Sequence, residues 1–312
     1  MRISGSIVVV TGAAGGIGAA LARRFAAEGA RGLLLADLDA GRVEDLAQAL
    51  DREGCHTVGV GSDVSRESDV RALVETAEKH LGPVDLFCSN AGLGSGAGIE
   101  APDAVWQACW DVNVMAHVYA ARAVLPGMLK RGQGYLLNTA SAAGLLQMPG
   151  DAAYTATKHA TVAFAEWLAV TYGDRGIKVS ALCPQGVRTA MTSDASVRTV
   201  LSAFGELLAP EDVADAVMQG LADERFLILP HPEVAEHEQG RAADRDRWLS
   251  GLRHVVGKLD MRLDQGVQPH SQSHDAQSHN AQSHNAQSHN VQSHNVQPAV
   301  ESVVAEIVQP MA

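Results

Sequence analysis

Seven short apolar runs, each leading through a turn into an amphipathic stretch, constrain the fold of this chain more than any other feature. They lie at residues 7–10, 33–36, 57–60, 86–88, 135–138, 179–182 and 226–229. Most are apolar on both faces, as strands are when helices cover both sides of a sheet. The stretches at 19–28, 42–52, 69–80, 105–129, 153–172 and 210–222 carry apolar residues at helical spacing. Strand, crossover helix and parallel strand, repeated through the first 230 or so residues, predict a doubly wound, mostly parallel seven-stranded α/β sheet.

Hydrophobic residues make up 46% of the 312, enough to fill one large core. Net charge is −12, and Lys and Arg form no cluster. Phosphate backbones and anionic membrane surfaces need clustered cations, so neither nucleic acid nor membrane is an expected partner. No run of about 18 apolar residues is present, and no membrane span is expected. Nor does a long apolar stretch precede the first motif, so no secretory leader is expected. Cys55, Cys88, Cys109 and Cys183 form no C-x-x-C pair and read as reduced filler. The expected location is the cytoplasm.

Residues 233–263 are charged and helix-prone, with Trp248, Leu249, Leu252, Val255 and Val256 at helical spacing, and are expected to form one C-terminal helix on the domain or on a partner subunit. The globular domain is thus placed at 1–263. The remainder, 264–312, contains five copies of a Gln-Ser-His-(Asn/Asp)-(Ala/Val) repeat over 272–296. With almost no apolar content it cannot offset its ordering entropy and is expected to be disordered. His-rich tracts can bind zinc or nickel, but no regular element gathers histidines spaced every five residues, and no metal is expected.

The first apolar run leads into Thr11-Gly12-Ala13-Ala14-Gly15-Gly16-Ile17-Gly18 and then a helix. Glycines at 12, 16 and 18 let the backbone approach a pyrophosphate, and the helix start at Ile17 supplies free N–H groups and a positive dipole end. Asp37 follows Gly18 by 19 residues, at the end of the second run, where a carboxylate accepts hydrogen bonds from an adenosine ribose. It would repel a 2′-phosphate, and Gly15 and Leu38 stand where a cation for that phosphate would be sought. NAD is therefore expected ahead of NADP.

In the order in which its motifs occur, the chain resembles the compact branch of the short-chain dehydrogenases/reductases. The Thr11-Gly12-x-x-x-Gly16-x-Gly18 turn matches the cofactor motif of that family, Asp63-Val64 its adenine-contacting pair, and Asn90-Ala91-Gly92 the close of its fourth strand. Asn113, Ser141 and Tyr154-x-x-x-Lys158 match its catalytic set. Pro184, Val187 and Thr189 match the nicotinamide-contacting stretch, but Gln185 stands where the family has glycine, beside the nicotinamide.

The resemblance implies a Rossmann-like fold, a nicotinamide cofactor, a secondary alcohol or ketone as substrate, and a homodimer or homotetramer. It also implies roles. Ser141 orients the substrate oxygen, and Asn113 bends its helix and holds a water that links Lys158 to solvent. Tyr154 and Lys158, four apart, share a helix face. A free tyrosine titrates near pH ~10, and the Lys158 ammonium together with the charge of the oxidised nicotinamide is expected to lower that value; a drop of three units needs about 4 kcal/mol. Leu145, Leu146, Met148, Gln185 and Met191 are the expected pocket wall, mostly apolar, which favours a lipophilic or cyclic alcohol. Alternatives are an NADP-dependent carbonyl reductase and a catalytically idle NAD-binding scaffold. Trp106, Trp110 and Trp167 are expected in core or interface, Asp151 in solvent rather than at the mouth of the site, where it could also lie, and 92–98 as a glycine-rich turn that flexes over the pocket or simply connects.

Overall fold

The computed structural model describes residues 1–266 other than 53, 54 and 203. The repeat tail therefore lies outside the described residues. Two compact units are present, Met1–Arg241 and a second beginning at Ala242.

The first unit holds a seven-stranded parallel sheet of order β3-β2-β1-β4-β5-β6-β7. Its strands are β1 (Ile7–Thr11), β2 (Gly32–Asp37), β3 (His56–Gly61), β4 (Leu86–Ser89), β5 (Gly134–Thr139), β6 (Ile177–Leu182) and β7 (Leu227–Ile228). Each lies at an expected apolar run. Helices α1 (Gly16–Ala27), α2 (Ala40–Arg52) and α8 (Pro210–Ala222) cover one face of the sheet; α3 (Glu67–His80), α5 (Ala116–Arg131) and α6 (Ala152–Tyr172) cover the other. Val8, Val10, Leu33, Leu35, Leu86 and Cys88 join Leu21, Phe25, Val213 and Val217 in the α1–α8 core. Intervening residues such as Ile7, Val9, Leu34 and Phe87 are buried on the opposite face. This two-sided burial is why the strands read as unbroken apolar runs. Phe25 is fully buried, and its truncation to Ala would cost about 3–5 kcal/mol.

From β1 the chain winds outward to β3, then returns to add β4 on the other side of β1. A crevice opens at this reversal, beyond the carboxyl ends of β1 and β4, where doubly wound sheets bind their ligands.

Three elements differ from expectation. The helix predicted over 105–129 is α4 (Asp103–Trp110), a π-helical turn (Asp111–Met115) and α5 in series. A short helix, α7 (Ala195–Ser202), lies between β6 and α8. The single C-terminal helix is two, α9 (Glu233–Ala243) and α10 (Arg245–Gly266), and α10 runs three residues past the expected boundary at Leu263. The break has a local cause: Asp244 caps α10, its carboxylate accepting the Arg247 N–H at 2.9 Å.

Candidate active site

The carboxyl ends of β1, β4 and β5 are tied together by Asn90. Its backbone N–H donates to Thr11 Oγ1 (3.0 Å) and its side-chain amide to the Thr11 carbonyl (3.0 Å). Thr139 Oγ1 donates to Asn90 Oδ1 (3.2 Å). At this junction α1 must start hard against the β1 turn. A Cβ on Gly18 would lie 2.0 Å from the Gly12 carbonyl oxygen, and Gly12, at φ +67°, leaves only 2.8 Å to Ala91 Cα. The N-cap is Gly15, which offers no side-chain cap, so the first-turn N–H groups of Gly16, Ile17 and Gly18 remain for an anion. The backbone therefore fits a pyrophosphate.

Asp37, at the end of β2, accepts the Ala14 N–H on Oδ2 (2.9 Å) and the Asp39 N–H on Oδ1 (3.1 Å). A cleft of about 300 Å³ beside it is lined by Ala14, Arg23, Arg42 and Asp45. Arg42 Nη2 would lie 3.2 Å from a Cβ on Gly15, so a guanidinium does stand at this corner, supplied by α2 rather than by positions 15 or 38. Asp63 is taken up locally: Ser65 donates both its N–H (3.0 Å) and its hydroxyl (2.6 Å), and Arg66 pairs with it at 3.3 Å. The Ser65 hydroxyl bond holds its carboxyl below the usual range, and Val64 beside it is buried.

Ser141, Tyr154, Lys158 and Asn113 converge beyond β5. Ser141 caps a short turn by accepting the Ala143 N–H (3.0 Å), donates to the Pro184 carbonyl (3.5 Å), and lies close enough to the Tyr154 phenol to lower its pKa. Lys158 is 3% exposed, donates to the Thr139 carbonyl at 2.9 Å, and places Nζ 5.6 Å from the Tyr154 ring centre. Burial lowers its pKa to about 8. The phenol moves opposite to expectation. Burial raises Tyr154; the nearby Ser141 hydroxyl opposes this, and Asp151 and Cys183 add to it. Loss of hydration outweighs a lysine whose own charge is destabilised by the same burial.

Asn113 is fully buried in the π-helical turn. Its amide accepts the Leu93 N–H (3.0 Å) and donates to the Leu93 carbonyl (2.9 Å) and Thr157 Oγ1 (3.0 Å). The side chain thus clamps the loop after β4 to α6, and its backbone carbonyl accepts the Thr161 hydroxyl (2.6 Å). Gly92 has no room for a side chain without crowding, since a Cβ would lie 3.2 Å from Asn113 Oδ1 and 3.3 Å from Lys158 Nζ.

The short chain dehydrogenase family model matches residues 6–198. The chain belongs to the short-chain dehydrogenases. It is an oxidoreductase acting between a nicotinamide cofactor and an alcohol or ketone carbon. It is 35% identical over 260 residues to 1-deoxy-11-beta-hydroxypentalenate dehydrogenase of Streptomyces exfoliatus, covering 82% of this chain and 91% of that one. It is 35% identical to 2-(S)-hydroxypropyl-CoM dehydrogenase 3 of Xanthobacter autotrophicus, over 73% of this chain and 93% of the other. A Burkholderia phymatum short-chain dehydrogenase/reductase solved in complex with NAD superposes with TM-score 0.73 at 32% identity, covering 79% of this chain and 96% of that one.

In this dehydrogenase the stretch from Pro184 to Thr189 spans from the serine to the glycine turn. The Pro184 carbonyl accepts the Ala142 N–H (2.8 Å), and Thr189 Cγ2 would meet a Cβ on Gly16 at 3.0 Å. Val187 bridges to Leu208. Gln185 turns away from the glycine turn: its amide donates to the Phe204 carbonyl (3.0 Å), and its Oε1 is buried with no partner among the described residues. Its backbone N–H donates to His231 Nδ1 (3.1 Å), whose Nε2 faces the Glu206 carbonyl (3.1 Å). A neutral His231 protonated on Nε2 satisfies both bonds.

Of the expected pocket wall, Leu145 and Leu146 are buried, Met148 is half-buried and Met191 is exposed. A cavity of about 630 Å³ lies beside the cluster, along Gly98, Met148, Asp151, Thr155, His159 and Arg241; Ser141, Tyr154 and Lys158 do not line it. Trp110 and Trp167 are exposed. Among the described residues, no three His, Cys, Asp or Glu side chains are placed to hold a metal ion, and no helix is long and apolar enough to cross a membrane.

Sequence reasoning missed His117 and underrated Asp151. His117 lies one turn after Asn113, buried, with Nδ1 2.9 Å from Asn138 Oδ1; burial lowers its pKa to about 4. Asp151, expected in solvent, is buried. Its only sequence signal was its place as helix N-cap.

Proposed function

We propose that this dehydrogenase interconverts a lipophilic secondary alcohol and its ketone, with Tyr154 as the proton-transfer group and NAD as the preferred cofactor. The observation that carries the reading is the convergence of Ser141, Tyr154 and Lys158: a serine hydroxyl near a phenol that has a buried lysine amine 5.6 Å from its ring centre. When bound, the nicotinamide supplies or accepts the hydride. Ser141 holds the substrate oxygen against the phenol. Tyr154 gives a proton to that oxygen in reduction and takes it in oxidation. Lys158, with a pKa near 8, holds a proton next to the phenol without being locked in the charged form. Asn113 fixes the loop after β4 on α6 and keeps this geometry. Because burial raises Tyr154, the phenol rests protonated at neutral pH, the form that serves reduction; oxidation is favoured at alkaline pH.

Gly12, Gly16, Ile17, Gly18 and Asn90 would hold the pyrophosphate end, Asp37 the adenosine ribose, Asp63 and Val64 the adenine, and Pro184, Val187 and Thr189 the nicotinamide. Asp37 supports NAD through its charge. Arg42 beside Gly15 supports a second reading, acceptance of NADP through a guanidinium at the same corner. The two relatives named for hydroxylated substrates support an alcohol as substrate, and the apolar residues at 145, 146, 148 and 191 support a lipophilic one.

The protein is proposed to be a cytoplasmic homodimer or homotetramer. On the outer face of α6, Trp167 is 54% exposed, Val170 is 87% exposed, and Phe164 stacks on Trp167 at 6.3 Å, an apolar surface suited to a second copy. The catalytic domain is proposed to end near 263, with the tail from 264 dispensable. Fluorescence titration with NADH and NADPH, followed by a panel of cyclic and long-chain secondary alcohols and ketones, tests the reading. Tight NADH binding with turnover of the apolar members supports it; binding without turnover of any member would favour the idle scaffold.

A further inference from the structure

Asp151 stands three residues before Tyr154, and four donors converge on its buried carboxylate. Oδ1 accepts the Tyr154 N–H (3.0 Å) and the Ser95 hydroxyl; Oδ2 accepts the Ser95 N–H (2.9 Å) and the Gly96 N–H (2.9 Å). The next residue adds a fifth tie, the Ala152 N–H to the Ala97 carbonyl at 3.2 Å. Gly94 leaves room for this approach, since a Cβ there would sit 3.1 Å from Oδ2. The other end of the same loop is held by Asn113 at Leu93, and Gly92 passes beside Lys158. The loop from β4 is therefore fastened at both ends to the elements that carry the reacting groups.

We propose that Asp151 is a positioning residue of this active site, which docks the 93–97 loop onto the first turn of α6 and so fixes Tyr154 against the substrate wall. The inference rests on the proposed role of Tyr154. A helix cap needs only one short oxygen. Asp151 fills that role and spends its remaining acceptors on a loop 56 residues away in sequence, which a cap alone does not require. Its charge also acts on the phenol. The titratable groups around Tyr154 are Lys158 on the same helix, Asp151 at its start and Cys183 after β6; Cys109 on α4, His117 on α5 and Glu238 on α9 act on these in turn. Asp151 raises Tyr154, so removing its charge must lower it.

Two variants separate the effects. Asp151→Ser keeps an oxygen to cap α6 but cannot reach the loop and carries no charge. Ser95→Ala keeps the charge and the cap but loses the hydroxyl bond. Readouts that need no identified substrate are amide hydrogen exchange at Ser95 and Gly96 and phenolate absorbance during alkaline titration, with the Tyr154 signal assigned by difference from Tyr154→Phe. In Asp151→Ser, exchange at 95 and 96 should quicken by about fivefold or more per lost bond, and the Tyr154 titration should move to lower pH. In Ser95→Ala, exchange should quicken while the titration stays put. Unchanged exchange in either folded variant, or an unmoved titration in a folded Asp151→Ser, overturns the proposal; should Asp151→Ser not fold, Ser95→Ala alone decides. Turnover by Tyr154→Phe would instead overturn the reading on which it rests.

Discussion

Gln185 donates its side-chain amide to the Phe204 carbonyl at 3.0 Å, so the residue that departs from the family pattern holds the segment between α7 and α8 to the strand end beside Ser141. The bond joins the residue after Pro184 to a loop that leaves near Thr189 and returns at Leu208. Gln185→Gly removes it, and one such bond is worth about 1 kcal/mol, or roughly fivefold in an equilibrium. The expected outcome is a several-fold rise in KM for the alcohol, with kcat and NADH affinity within about twofold of wild type. Steady-state kinetics beside NADH titration check this; a selective loss of NADH affinity would put Gln185 in the cofactor site.

At the adenosine corner, Asp37→Ala should weaken NADH binding, and Asp37→Ala with Leu38→Arg should shift preference toward NADPH, because a repelling carboxylate gives way to a phosphate partner. Arg42→Ala reports on the second reading. If Arg42 serves a 2′-phosphate, its loss lowers NADPH affinity by about tenfold and leaves NADH nearly unchanged. Isothermal titration with both cofactors distinguishes the cases. A wild-type enzyme that already binds NADPH more tightly would contradict the assignment of Asp37.

His117 gives a pH dependence of stability. Its folded pKa is depressed to about 4 from 6.5 by burial, so the native state stays unprotonated where the unfolded chain takes up a proton. Stability is therefore fully present above 6.5 and falls as pH drops toward 4, by about 3 kcal/mol at most from this one group. His117→Phe, starting from a lower stability because Asn138 loses its partner, should show a shallower fall over that window. Denaturant midpoints at several pH values measure it, and parallel profiles would remove His117 as the cause.

The sheet was legible because parallel strands covered on both faces must be apolar throughout, as Val8, Val9 and Val10 show. Gly18 was legible because a helix that starts 2.0 Å from a backbone oxygen, were a Cβ present, admits no other residue. The π-helical turn at Asn113 was not legible in the periodicity, because one widened turn shifts the apolar stripe too little to break its helical period; only the family resemblance implied a bend there. Asp151 was read as solvated because its partners, Ser95 and Gly96, lie in a loop whose path depends on tertiary packing. The raised Tyr154 value of the protein without its cofactor was not legible for a related reason: spacing reveals that Lys158 is near but not how much water both groups lose. The partners of Gln185 were not legible, since nothing in sequence marks Phe204 and His231.

The central claim is that Tyr154 moves the proton. Tyr154→Phe removes only the phenolic oxygen from a helix whose cap at Asp151 and lysine at 158 are untouched. Measured with an alcohol that the wild-type enzyme oxidises, the variant should bind NADH within about twofold of wild type while kcat falls by about a hundredfold or more. Turnover above about a tenth of wild type, with NADH binding intact, would contradict the account.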